Sequence, residues 1–396
     1  MKRRTFLLLS LTILVGSLFL SGSSPADKDF SFIISSDQRF HTTVPFQTGH
    51  YTLPGYEAIK KLGQGAFMVV LGDIDPPSAT RELMDKVFGK DYPWYVVRGN
   101  HDTENPSMEY IRSLNRGEKS FQHVVRKGPA GSEETTYSFD WNDVHFVVLN
   151  VFFDGKRDNA RTPNIVPELL SWLEDDLKQN KKEHTFVFGH VPLFSVLDMD
   201  NGTRRHTGEV LDKFPDNELK FERVLFKYHV TAYVSGHIHC ASYTNINGLW
   251  LLNDGHIYGY EDTYTPELLF GAMSQAVEKG KKAGINQSKA IADFFESDKK
   301  EIKNILYYLN PIPGKDYKDL TDEESLKAAT EFYANYQKSE AAAKEYTDTF
   351  WKHCGWRPST FLRVKISGGT GVVEFYRDKD FNGNYTLRHT LTLFTK

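Results

Sequence analysis

Five short apolar runs in the first part of the chain each break off into a polar cluster. Phe32-Ile33-Ile34-Ser35-Ser36 leads into Asp37, and Phe67-Met68-Val69-Val70-Leu71 into Gly72-Asp73. Val96-Val97 leads into Arg98-Gly99-Asn100-His101-Asp102, Phe186-Val187-Phe188 into Gly189-His190, and residues 231–235 into Gly236-His237-Ile238-His239. Runs of this length, rich in β-branched and aromatic residues and bounded by turn formers, predict buried strands. Helix-like stretches at Tyr56 to Leu62, Arg81 to Phe88 and Pro167 to Lys181 alternate with them, a βαβ rhythm that predicts an α/β fold. Tyr137 to Trp141 and Val144 to Asn150, joined by Asn142-Asp143, predict a hairpin, so the sheet content is mixed. In open α/β sheets ligands gather at the carboxyl ends of strands. A single polar turn there needs only Asn or Asp capping the backbone, but five strand ends in succession carrying Asp, Asn or His predict a shared site.

The pattern changes after Tyr264. Helix-forming residues run from Pro266 to Leu309 and again from Thr321 to His353, the second opening on Thr321-Asp322-Glu323-Glu324, a capping box with acidic residues at the positive helix end. Strand patterns return at Phe361 to Ile366, Gly371 to Tyr376 and Thr386 to Phe394. The expected organisation is a leader at 1–24, a core at 25–265, a helical insertion at 266–355 and strands completing the core at 356–396. Lys281-Lys282 and Lys299-Lys300 read as solvated faces, and Phe332, Tyr333 and Tyr336 as helical core rather than a substrate platform.

Lys2-Arg3-Arg4, the apolar run Phe6 to Leu20 and the small residues Ser21-Gly22-Ser23-Ser24 have the three regions of a secretory signal peptide. Export to a periplasm or the extracellular space is expected, with no membrane span in the mature protein, because the run is short against the roughly 20 residues a bilayer needs. No Cys follows it to take a lipid, and Arg3-Arg4-Thr5-Phe6-Leu7 leaves the general and twin-arginine routes both open. Over 396 residues charged side chains are 25% and the net charge is −4, which excludes a nucleic-acid binder acting through bulk positive charge. Cys240 and Cys354 permit one disulfide and no framework. Cys240 reads as a buried thiol rather than a metal ligand, since strand neighbours such as His239 face the other way.

With these residues in place, the chain resembles the calcineurin-like metallophosphoesterase family, whose pattern is D-x-H, G-D-x-x-D, G-N-H-D/E, G-H and G-H-x-H in that order. Asp37, Gly72-Asp73, Gly99-Asn100-His101-Asp102, Gly189-His190 and Gly236-His237-Ile238-His239 meet it. Arg39 stands where D-x-H has its His, and Pro76 where the second block has its later Asp. The resemblance implies two mixed β-sheets packed face to face between helices, two divalent metal ions, and hydrolysis of a phosphate-ester substrate, monoester or diester. It implies that Asp37 and His239 hold the first ion, Asp73 bridges, and Asn100, His190 and His237 hold the second. A set of oxygens and imidazoles suits Mn, Fe or Zn. His101 is then expected to protonate the leaving oxygen, with Asp102 fixing its tautomer. Arg39, a donor-only side chain, is a candidate for substrate phosphate, and His41 or His50 for the nitrogen it replaces. The loop Asp198 to Gly208, with Arg204, Arg205 and His206, reads as a solvated surface loop or a second phosphate contact. The competing expectation, raised by Arg39, is a non-catalytic binding protein with an incomplete first site.

Overall fold

The computed structural model describes residues 29–39, 48–103, 106–202, 204, 206–257, 265–309, 319–353, 358–380 and 382–396. The expected leader, His41, Arg205 and Cys354 lie outside the described residues, as does the side chain of His50.

Two mixed sheets face each other. The first runs β13 (Thr386–Thr395), β12 (Thr370–Asp378), β11 (Ser359–Ser367), β1 (Phe30–Ser35), β2 (Met68–Val70), β3 (Trp94–Val96). The second runs β4 (Val124–Lys127), β5 (Tyr137–Trp141), β6 (Val144–Leu149), β7 (His184–Gly189), β8 (Ala232–Ser235), β10 (Leu249–Asp254), β9 (Ala241–Ile246). β1, β2 and β3 are parallel, as are β6, β7 and β8, so both sheets point a set of carboxyl ends at one rim. The expected hairpin forms as β5 and β6, with Trp141 opposite Val144.

Alternation within each strand divides its side chains between two cores. Phe32, Ile34, Phe67, Val69 and Tyr95 point inward onto Phe139, Phe146, Phe186, Phe188 and Val234 of the opposite sheet. Their rings interlock: Phe32 stacks on Phe67 at 5.1 Å, and Phe67 meets Phe146 edge-on at 5.5 Å, a geometry favoured by the ring quadrupole. The outward residues Ile33, Met68, Val70 and Val96 pack on helices α1 (Thr48–Leu62), α2 (Pro77–Phe88) and α3 (Ser107–Ser113). On the other sheet Val147, Leu149, Val187 and Tyr233 pack under α4 (Pro167–Gln179) and α5 (Pro215–Lys227). Covered on both faces, the parallel strands must be apolar throughout, which is why they read as unbroken runs. Cys240 is fully buried in the second of these outer cores.

Residues 265–309 and 319–353 form helices α6 (Pro266–Lys282), α7 (Gln287–Ser297), α8 (Lys299–Leu309), α9 (Asp322–Tyr336) and α10 (Glu340–His353). They share a core of their own, in which Phe332 and Tyr333 are buried with Leu269, Phe295, Ile305 and Phe350. The capping box at Thr321 forms with both of its bonds, Glu324 N–H to Thr321 Oγ1 at 3.1 Å and Thr321 N–H to Glu324 Oε2 at 2.8 Å. The chain then returns to the first sheet, where β11 lies antiparallel beside β1 with Phe30 opposite Ile366. No helix among the described residues is long and apolar enough to cross a membrane.

Candidate metal centre

Asp37, Asp73, Asn100, His190, His237 and His239 converge at the rim where the parallel strands of both sheets end. Asp37 and Asp73 follow β1 and β2 and carry φ of 52° and 53°, while His237 and His239 follow β8 at 69° and 53°. Left-handed backbone is costly for residues with a Cβ and persists where the surroundings fix it, commonly at functional sites. Close approach has the same origin at Gly99, where an added Cβ would stand 2.2 Å from both the amide N and Oδ1 of Asp73.

One cluster joins Asp37, Asp73 and His190, each buried, with a donor atom from each within 4.8 Å of the others. His190 Nε2 lies 3.5 Å from Asp73 Oδ2, and His239 Nε2 3.1 Å from Asp37 Oδ1. A second convergence centres on Asn100 Oδ1, which is 2.9 Å from His190 Nε2 and 2.9 Å from His237 Nδ1. His190 gives its Nδ1 proton to the Leu71 carbonyl at 2.7 Å. A neutral ring held that way turns a lone pair, not a proton, toward the Asn100 oxygen.

The charges show what the site lacks. Burial of Asp37 pushes its carboxyl up to about 7, although His190 opposes the shift. Asp37 Oδ1 has no hydrogen-bond partner among the described residues. Burial also resists charge on His190, yet the Asp73 and Asp37 carboxylates outweigh it and raise the ring to about 9. Burial acts to raise Asp73, but His190 and His101 overcome it and hold the carboxyl below its usual range. Buried carboxylates, imidazole lone pairs and an amide oxygen aimed at common points are a donor set that a divalent cation satisfies, so these residues fit the ions the family pattern implies.

His101 borders this set. Its amide donates to Asp73 Oδ1 at 2.8 Å, and its side chain, 40% exposed, brings Nε2 to 3.9 Å from Asp73 Oδ2. Asp102 stands differently from the expectation that it orients His101. Its Oδ2 accepts from the amides of Asp73 and Gly99 at 2.9 and 2.8 Å, and Oδ1 from the amide of Ile74 at 2.9 Å. The carboxylate thus ties two ligand-bearing turns together, because a short acid three residues after Gly99 reaches backbone before it reaches a neighbouring ring. Arg39 forms a bidentate pair with Asp75, Nε to Oδ1 at 2.8 Å and Nη2 to Oδ2 at 3.3 Å.

Two features go beyond the expectations: Ser36 and Asp254 beside Asp37 carry no sequence signal, and the loop from Asp198 is expected only as solvated surface or a phosphate contact. Ser36 Oγ lies 2.5 Å from Asp37 Oδ2 and 2.7 Å from Oδ1 of Asp254, a buried carboxyl that burial pushes far up. The second is the loop from Asp198, which brings His206 over the centre, its ring stacked on His237 at 4.6 Å and 6.2 Å from His239. The loop is fixed at its base by Arg377 of β12, fully bidentate on Asp198 at 3.1 and 2.7 Å and bonded to Asp200 at 2.6 Å.

Over 253 residues the chain is 27% identical to tartrate-resistant acid phosphatase type 5 of Oryctolagus cuniculus, covering 59% of this chain and 74% of that protein. The Homo sapiens protein of the same name is 25% identical over 259 residues, with 60% and 74% covered. Among solved structures, that of PhoD aligns with a TM-score of 0.47 and 9% identity, covering 93% of this chain and 72% of that one. The model of the calcineurin-like phosphoesterase family matches residues 50–241, a span that holds Asp73, Asn100, His101, His190, His237 and His239. Over residues 50–241 the chain is thus similar to the calcineurin-like phosphoesterase family.

Proposed function

We propose that the chain is an exported hydrolase of phosphoric esters that works with two divalent ions, Mn, Fe or Zn. The observation that carries the reading is the convergence of Asp37, Asp73 and His190 beside that of Asn100, His190 and His237, with His101 at the edge of both. Asp37 and His239 would hold the first ion, Asn100, His190 and His237 the second, and Asp73 would serve both. Bound there, the ions would supply Lewis acidity, lowering the pKa of a water and polarising the ester oxygens. His101, whose ring is half-exposed and tied through its amide to the bridging Asp73, gives its proton to the departing oxygen. Asp102 keeps the Asp73 and Gly99 turns in register, so its contribution is to ligand placement. Arg39, fixed by Asp75 beside His101, is offered to the substrate phosphate at the rim. Phosphomonoesters are the favoured substrate class, by analogy with relatives named acid phosphatases. Export rests on residues 1–24 alone.

The competing reading, a binding protein with an incomplete first site, draws on Arg39 in place of an imidazole. Against it, Arg39 pairs with Asp75, and Asp37 Oδ1 faces His239 Nε2 at 3.1 Å with no hydrogen-bond partner among the described residues, an arrangement that suits a shared cation. The test is turnover of a chromogenic phosphomonoester and phosphodiester by protein stripped with a chelator and reloaded with Mn, Fe or Zn. Restored monoester turnover is expected. Ion binding without turnover of either ester would favour the binding reading.

A further inference from the structure

His237 presents Nδ1 to Asn100 Oδ1 at 2.9 Å, on the side assigned above to the second ion. Its Nε2 is buried and has no hydrogen-bond partner among the described residues, in a residue only 6% exposed. A neutral imidazole that ligates through Nδ1 carries its proton on Nε2, so ion binding makes this atom a buried donor in need of an acceptor.

The turn at 206–209 offers one. The amide of Glu209 donates to the carbonyl of His206 at 3.0 Å, closing the turn, and Glu209 Oε2 accepts from His206 Nδ1. A carboxylate oxygen of Glu209, a ring nitrogen of His206 and a ring nitrogen of His237 all lie within 4.8 Å of one another. The Glu209 side chain, 62% exposed and paired with His206, has to give up that pair to make a hydrogen bond of about 2.8 Å to His237. The base of the loop does not have to move for this. Arg377 holds Asp198, and the Met199 amide donates to the Ala241 carbonyl at 2.8 Å, just beyond the Gly236-to-His239 turn.

We propose that Glu209 is a positioning residue for the second ion, its carboxylate leaving His206 to accept the Nε2 proton of His237. The inference rests on the two-ion reading. Metal-bound histidines commonly hand their second proton to a carboxylate, which fixes the tautomer and makes the ring a better ligand, and losing that partner weakens metal affinity about 10–100-fold. The loop then serves the centre through His237 without touching the ion. A rival acceptor is the main-chain carbonyl of Glu209, which also faces the His237 ring.

The test is titration of full-length, metal-stripped protein with Zn against a chromophoric chelator, and with Co for its visible spectrum, in wild type, Glu209→Ala, Glu209→Gln and His206→Ala. Two equivalents are expected in each. The tighter-binding step, that of the Asn100 side with its full ligand set, should lose about 10–100-fold in Glu209→Ala and less in Glu209→Gln, which keeps an acceptor oxygen. His206→Ala should bind as wild type or more tightly, since it releases the carboxylate. The Co spectrum should change in the Glu209 variants alone, and the Tm of the stripped proteins should not change, because the side chain is exposed. Wild-type affinity and spectrum in Glu209→Ala would overturn the proposal and leave the carbonyl as acceptor. A wild type that takes up no ion would instead overturn the metal reading on which the proposal stands.

Discussion

Replacing Asp102 separates two roles that its place in the sequence confounds. In the structure its carboxylate accepts three backbone amides, from Asp73, Ile74 and Gly99, at 2.8 to 2.9 Å, and is fully buried. Burial raises its pKa to about 6, so at pH 8 it is ionised and the bonds are charge-assisted. In Asp102→Asn the single remaining oxygen can serve the Asp73 and Gly99 amides, but the NH2 then faces the Ile74 amide, donor against donor. One lost charge-assisted bond and one buried unsatisfied N–H come to roughly 2–4 kcal/mol. Asp102→Ala orphans all three amides, at about 1–3 kcal/mol each, a sum that approaches the whole stability of many domains, ~5–15 kcal/mol. The assay is urea unfolding of metal-stripped protein at pH 8, which keeps ion binding out of the comparison, with the kcat pH profile measured on the reloaded protein. The account predicts a large stability loss in Asn and a larger one in Ala. Unchanged stability with a shifted pH profile would refute it and return Asp102 to the role of orienting His101.

Three further outcomes follow from the same geometry. His101→Ala should lower kcat by roughly 10²–10⁴-fold with metal content intact, as measured by elemental analysis; loss of an ion would make His101 a ligand. His145 is buried between Asp140 at 2.7 Å and Asp176 at 2.8 Å; burial alone would depress its pKa, but the two carboxylates raise it to about 9. Because the folded value exceeds the ordinary 6.5, its contribution of about 3 kcal/mol is fully present below pH 6.5 and is lost as pH rises through 9. Urea midpoints of wild type should fall more steeply across that window than those of His145→Gln, which keeps only the similar contribution of His190; parallel curves would count against the raised pKa of His145. Arg39→His should tighten the first ion and raise KM for a phosphomonoester, followed by Mn or Zn titration; no change in either would put Arg39 outside the site.

What the sequence revealed was what its chemistry required to be local. Each apolar strand covered on both faces is followed by its ligand within one to four residues, so Asp37, Asp73, Asn100, His190, His237 and His239 stood out at run ends. Distant partners left no such mark. His206 and Glu209 reach the centre because Arg377 grips Asp198 across 179 positions of sequence, and neither residue sits in a periodic segment. Arg39 sits two residues from Asp37, but its partner Asp75 is set by the packing of β1 beside β2. The β9–β10 hairpin was legible and passed over: Asn247-Gly248, with φ of 49° and 96°, is a two-residue turn signal, but β9 is polar and half exposed and carries no apolar run. The helices of 266–353 were visible as helices and the breaks between them were not read: at Ala283 the signal was there, Gly284 with φ 74° and Asn286 capping α7, whereas Asp298 lies among helix formers.

The central claim is that two ions share Asp73, and anomalous X-ray scattering from crystals soaked in Mn or Zn tests it most directly. The account predicts two anomalous peaks roughly 3.5–4 Å apart, both within bonding distance of Asp73, one also against Asp37 and His239 and the other against Asn100, His190 and His237. A single peak on the Asn100 side at saturating ion, with Asp37 left bare, would contradict it.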